Sequence, residues 1–398
     1  MPFEGDCPDS RIAFERSSTT ESDIAELGST IAFVGSQGFA DFYGVGGMQS
    51  YVRRLGLELA RRGHPVDFLI HEAKQREEVR PSPGIRLRYF VSLADSLAAL
   101  SSGSYSDVVR VWFASTDRLA FLRHLWSPEA RPRPHHYVWF VVSDSPAKRL
   151  LGMLEGLATS RRGHFFCVSP RQWRSARRWT RRASLLLPPV PEAFFLRPDQ
   201  KPLRWPLRIT FLGVLHPDKG VHEVVRLFEA LRGDPRFQCS LYATHDPSDR
   251  AQIALHERFM SREGLHYLPM EPRPWSPSLE TQVQGILAET DVFVQPFQSL
   301  QNTVDTPLLV LEAMASLCVV LTTPIQSVPE LYGNRRFLLP PGQFVEQALG
   351  VLQGLDEAAL SQERARIHRR NQELGFSTAD VADRFLAAAR EGRVAAWR

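Results

Sequence analysis

An apolar run, Ile31-Ala32-Phe33-Val34-Gly35, is followed by a glycine-rich stretch, Gly44-Val45-Gly46-Gly47. Apolar residues then recur at helical spacing at Met48, Tyr51, Val52, Leu55 and Leu59. Gly63 stands where a left-handed residue ends a helix, and a second apolar run follows over 66–70. Strand, glycine loop, helix and strand in that order form a βαβ unit, which requires parallel strands with a helix packed across them. The fold class follows from that unit: α/β, with doubly wound, Rossmann-like sheets.

The alternation continues with strands expected at 108–113, 137–142 and 165–168. It is interrupted by Pro188, Pro189 and Pro191, and by Pro198, Pro202 and Pro206 beyond them. It then restarts, with strands expected at 207–212, 240–243, 292–295 and 318–321 and helices at 221–231 and 307–317. A last helical stretch, 378–389, is set apart from this second series. The chain of 398 residues is too long for one ordinary core. The expected division is an extension (1–28), a first Rossmann-like domain (29–190), a linker (191–206), a second such domain (207–375) and a terminal helix (376–398). Two such sheets face a common cleft, and ligands of this class bind beyond the carboxyl ends of the strands.

Composition narrows the function classes. No run approaches the length of a membrane span, and the first residues are acidic and polar, so the expected location is cytoplasmic. Cys7, Cys167, Cys239 and Cys318 fall in no metal spacing, which argues for no metal or other cofactor. Of 48 basic residues only four are lysines: Lys74, Lys148, Lys201 and Lys219.

Three segments carry candidate chemistry. Gly44–Gly47 precedes a helix, where backbone N–H groups favour an anion; a flexible tight turn is the alternative. Lys219 stands at a strand-to-helix junction within Gly213-Val214-Leu215-His216-Pro217-Asp218-Lys219-Gly220, where it could neutralise a diphosphate as a point charge or lie solvated. Glu312 sits in the apolar helix that follows Thr303-Val304-Asp305-Thr306-Pro307-Leu308, so it needs a partner: ribose hydroxyls, or a structural ion pair.

Together these segments resemble the retaining, metal-independent GT-B glycosyltransferases of the GT4 type (group 1). The likeness runs in order from about residue 31 to 390. It includes Gly46-Gly47, Arg62-Gly63-His64, Asp291-Val292-Phe293-Val294-Gln295-Pro296, Leu311-Glu312-Ala313-Met314-Ala315 and the run from Phe337 to Gly342. The resemblance implies a sugar transferase with a UDP, GDP or TDP sugar as donor. It implies a first domain that binds acceptor and a second that binds donor. Lys219 would hold the diphosphate, Glu312 the ribose, and Gly46 and Gly47 would admit phosphate or sugar. Gly213, His216, Thr306, Pro307 and Leu308 would complete the donor site, and the last helix would cross back to the first domain.

Three positions depart from the pattern. Val304 replaces the first glutamate of a paired motif, Val214 an arginine, and Arg110 and Trp112 replace two histidines. Asp305, one residue beyond Val304, is the expected substitute carboxylate and is assigned a catalytic role with Lys219 and Glu312. The departures also suit a degenerate protein that binds a nucleotide sugar or a protein partner without catalysis. His135, His136 and Asp144 are further polar candidates that spacing does not select.

Residues 161–182 hold eight arginines, one histidine and no acid. Arg174, Arg177, Arg178 and Arg181 fall at helical spacing, interleaved with Trp173 and Trp179. The expectation is a basic helix, either solvated or docking on an anionic membrane or charged acceptor. Nucleic acid is disfavoured by a net charge of only +4.

Overall fold

The computed structural model describes residues 30–111, 134–139, 163–271, 274–299 and 304–396, with positions 120, 123, 124, 150, 153, 154 and 157. The extension 1–28, Trp112, Asp144, Arg161, Arg162 and most of the 112–125 loop lie outside them.

The first sheet contains β1 (Thr30–Ser36), β2 (Val66–His71), β3 (Glu77–Ser82), β4 (Ile85–Tyr89), β5 (Tyr105–Val111), β6 (His135–Trp139), β7 (Phe165–Cys167) and β8 (Ala183–Leu185). Their order is β3-β4-β2-β1-β5-β6-β7-β8, parallel except for β3. β1 and β2 are almost wholly buried, as a parallel strand covered on both faces must be. The β3–β4 hairpin was not legible beforehand; it turns at Pro83-Gly84, where Gly84 takes a positive φ of 76°.

Helix α1 (Gly47–Arg61) follows the glycine loop, and Gly63 has the left-handed φ of 84° expected beyond its end. Helix α2 (Leu93–Ser102) leads to β5 and starts at Ser92, whose Oγ accepts from Asp95 N. Helix α3 spans only Pro170–Ala176, so the expected basic helix is shorter than its arginine spacing suggested. The tryptophans explain the break. Trp173 Nε1 donates to Ala183 O at 3.2 Å and Trp179 packs edge-on against Phe165, turning the chain into β8.

The second sheet contains β9 (Leu207–Val214), β10 (Phe237–Thr244), β11 (Tyr267–Pro269), β12 (Val292–Gln295) and β13 (Val319–Thr322), all parallel, in the order β11-β10-β9-β12-β13. The order reverses between β9 and β12, which opens a crevice at their carboxyl ends. Helices α4 (Val221–Ala230), α5 (Arg250–Met260), α6 (Pro277–Glu289) and α7 (Leu308–Ala315) connect these strands. Pro307 flanks α7 rather than occupying its first turn. Helices α8 (Val328–Tyr332), α9 (Phe344–Gln353) and α10 (Glu357–Leu374) complete this core.

The chain crosses between the domains twice, side by side. Val190 N donates to Phe376 O at 2.9 Å, and Thr378 N donates to Val190 O at 3.0 Å. Helix α11 (Thr378–Ala396) then returns to the first domain. Its Val381, Ala382, Phe385, Ala388 and Ala389 belong to that domain's buried cluster, and the Phe385 ring lies 5.3 Å from that of Phe166. Among the described residues, no helix is long and apolar enough to cross a membrane.

Candidate functional site

A cleft of about 800 Å³ lies between the domains, at the switch point of the second sheet. The first domain lines it with the glycine loop and the start of α1. The second lines it with the ends of β9, β10 and β12, Lys219 and the start of α7.

The glycines divide by role. None of Gly44, Gly46 and Gly47 takes a positive φ, so backbone conformation alone does not require glycine at these positions. A Cβ on Gly44 or Gly46 would strike the Gln49 side chain, which folds back and donates to Gly38 O at 2.6 Å. Gly47 faces open space: a Cβ there would have only Leu308 Cβ and Val304 Cγ2 nearby, each at 3.9 Å. Gly47 is the first residue of α1 and Leu308 the first of α7. Two helix N-termini, one from each domain, therefore meet in the cleft, and their unpaired N–H groups and dipoles favour an anion.

Lys219 lines the same cleft, with Nζ 5.4 Å from the centre of the Phe297 ring. Burial pulls its pKa below the usual lysine value, partly offset by Asp218. Gly220 makes this placement possible. It takes φ 74°, and a Cβ would lie against Pro296 O, so the backbone after Lys219 packs directly on the strand exit of β12.

Glu312 is buried and lines the cleft, and Arg54 Nη2 donates to its Oε1 at 2.5 Å. Arg54 belongs to α1, so the bond joins the domains. Its Nε also donates to Glu280 Oε1 at 2.7 Å and its Nη1 to Pro189 O at 3.2 Å. Burial disfavours the Arg54 cation, but Glu312 and Glu280 outweigh it and raise its pKa. The neighbouring Arg53 donates to Phe42 O and Gly44 O and stacks over the Trp275 ring at 4.2 Å. Burial, with Arg54 beside it, pushes Arg53 down to about 9, which leaves it cationic at neutral pH. Trp275 reaches over from the second domain: its backbone N donates to Tyr43 O at 2.6 Å.

Of the sequence candidates, Gly46, Gly47, Gly213, Lys219, Pro307, Leu308 and Glu312 converge on the cleft. Three do not. Asp305 was expected to face it, but it is buried in the seam between the domains. Ser169 Oγ and Ser327 Oγ both donate to its Oδ2, the latter at 3.0 Å. Thr306 sits in the same seam, donating to Val168 O at 2.7 Å. His216 folds onto its own turn, where its Nδ1 accepts from Asp218 N. His135 and His136 are buried in β6 within the first domain, away from the cleft.

Arg174 is also corrected: it does not stand on a free basic surface but pairs with Glu330 of the second domain, with Nη1 donating at 2.6 Å. Arg177 lies over the Trp173 ring, and Arg178 and Arg181 follow beyond the end of α3.

The sequence reading missed Arg53, Arg54, Trp275, His245 and Gln295, all of which line the cleft. Arg53 Nε, His245 Nδ1, Trp275 Nε1 and Gln295 Oε1 are buried and have no hydrogen-bond partner among the described residues. Arg54 and Trp275 owe their places to contacts remote along the chain, with Glu312 and Tyr43, which no local pattern marks. Among the described residues no cluster of His, Cys, Asp or Glu could hold a metal ion.

Comparison with known proteins agrees with this architecture. Residues 206–355 match the family model of glycosyl transferases group 1. No curated protein matches the chain in sequence. Solved structures match over nearly its whole length. The glycosyltransferase AviGT4, involved in avilamycin A biosynthesis, is 15% identical, covers 93% of this chain and 99% of its own, and superposes with a TM-score of 0.56. HepE of Anabaena, in complex with UDP and glucose, gives 13%, 92%, 100% and 0.63. A UDP-forming α,α-trehalose-phosphate synthase from Burkholderia vietnamiensis gives 13%, 91%, 100% and 0.60. The chain thus has the fold of the GT-B glycosyltransferases, and the stretch that matches the group 1 family model lies within its second domain.

Proposed function

We propose that the protein transfers a sugar from a nucleoside-diphosphate donor to an acceptor bound against the first domain. The transfer is of the GT4 type: it retains the anomeric configuration and uses no metal. One observation carries this reading: the N-termini of α1 and α7 meet beside Lys219 in a cleft that also holds Glu312. Oriented amides and one ammonium suit a diphosphate whose charge grows as the sugar departs. In a retaining front-face reaction the leaving phosphate takes the acceptor proton, so the protein needs chiefly to position the partners and stabilise charge. Glu312 then accepts hydrogen bonds from ribose.

Structures on the same frame hold UDP and UDP-glucose, so uridine donors head the panel to be tried. The test is thermal stabilisation by UDP, GDP, TDP and ADP and their sugars, followed by donor hydrolysis with and without chelator. Stabilisation with hydrolysis unaffected by chelator supports the reading. Stabilisation without hydrolysis or transfer marks a degenerate binder, and stabilisation by no nucleotide overturns the proposal.

A further inference from the structure

We infer that Arg54 is the positioning residue of the donor site, a first-domain guanidinium that holds the second-domain Glu312 aligned for ribose. This rests on the reading of Glu312 given above. Glu312 follows Val310 and Leu311 and precedes Ala313 and Met314, each fully buried. A carboxylate in that setting needs a cation beside it to offset its lost hydration.

Arg54 is that cation, and its shape matters as much as its charge. Its fork reaches three acceptors from three separate segments: Glu312 Oε1, Glu280 Oε1 and Pro189 O. A lysine is a point donor and does not span that set in one plane. Glu312 Oε1 is held by Arg54, whereas Oε2 makes no hydrogen bond among the described residues and belongs to a side chain that lines the cleft. One oxygen is fixed and the other is presented to a ligand. Removing Arg54 would leave the buried Glu312 and the half-buried Glu280 without their shared cation. The neighbouring Arg53 is committed to Phe42 O, Gly44 O and Ser50 Oγ.

Position along the helix adds a second consequence. Arg54 lies seven residues after Gly47 on α1, which is about 10 Å of helix. The element that offers amides to the phosphates at its first turn thereby also grips the ribose carboxylate two turns later. Its rigidity sets the separation between the two halves of the donor site, and it does so across the domain boundary.

The experiment compares the nucleoside diphosphate selected by the panel with its ribose-dideoxy counterpart, by calorimetry on the full chain. Wild type should prefer the intact ribose by about tenfold or more, the worth of hydrogen bonds to a charged group. In Arg54→Met that preference should collapse to within about threefold while the dideoxy affinity changes little. Arg54→Lys, which keeps the charge and guards against misfolding of the first variant, should show a smaller loss of the same kind. A merely structural role would weaken both nucleotides equally. Full ribose preference in both variants overturns the assignment of Arg54 and leaves the function standing. Wild type that binds the diphosphate but ignores the ribose hydroxyls overturns the roles of both Glu312 and Arg54. Wild type that binds no nucleoside diphosphate overturns the function and this inference together.

Discussion

Gly47 and Leu308 begin two helices from different domains, and a Cβ built on Gly47 would lie 3.9 Å from that of Leu308. Because Gly47 is helical with no positive φ, its missing side chain serves space and not backbone conformation. Gly47→Ala should therefore fold as wild type, yet weaken nucleoside-diphosphate binding by about tenfold, because the added methyl narrows the anion site. Gly47→Val should weaken it further. Calorimetry and melting together decide: equal affinity in Gly47→Ala would place the phosphates elsewhere.

Lys219 should be lost to the reaction at high pH. Burial holds it below the usual lysine value, so its charge disappears earlier on the alkaline side than that of a free lysine. Turnover should decline with rising pH below about 10.4, and Lys219→Arg should move that decline upward. Lys219→Ala should cost about 100-fold in kcat. A pH profile identical in Lys219→Arg and wild type would remove this ammonium from the charge-stabilising role.

Asp305 offers a test through stability. Burial raises its pKa, against the opposing pull of hydrogen bonds from Ser169 and Ser327. The folded chain thus keeps this proton at pH values where the unfolded chain has lost it. The stability this provides is full below the ordinary carboxyl value and is lost as pH rises through the folded one. Asp305→Asn should gain stability relative to wild type as pH rises from about 4 to about 7, with turnover within about threefold of wild type. A drop of an order of magnitude in kcat with an unchanged melting profile would return Asp305 to the catalytic group.

The arginines beyond α3 remain the candidate for contact with an anionic membrane or acceptor. Arg174 is engaged by Glu330, so the triple change Arg177→Gln, Arg178→Gln and Arg181→Gln isolates the others. It should lower co-sedimentation with phosphatidylserine vesicles at low salt and flatten its salt dependence. If wild type fails to sediment with such vesicles, this surface is only a solvated one.

What could be read in advance followed the range of the interactions involved. The buried strands β1, β2, β12 and β13 announce themselves as apolar runs, since a parallel strand buried on both faces has little other choice of residue, whereas the more exposed β3 and β4 do not. Gly63 and the proline-rich crossing at 188–206 are equally local. The position of Lys219 was legible because its junction lies within a few residues of its strand. The partner of Glu312 was not: Arg54 is 258 positions away, and nothing near either residue names the other. Asp305 failed for the same reason. Pro307 favours an extended entry to α7 that would leave Asp305 free to face the cleft, whereas Ser169 of the other domain decides where it points. The arginines at helical spacing misled because Trp173 and Trp179, read as interleaved surface groups, are turned into the sheet edge and end the helix.

Helix α11 gives the first domain a dependence on synthesis. Phe385 and its neighbours belong to a core whose other members are encoded within residues 31–186. Domains ordinarily fold as they emerge from the ribosome, the earlier one first. Here the earlier domain exposes an apolar face until some 190 further residues have been translated, and it must be kept from aggregation for that interval. A chain stopped before residue 378 would leave both the acceptor side and the donor side translated, with the first still unsealed. The last helix thus makes a sealed first domain conditional on a translated second one.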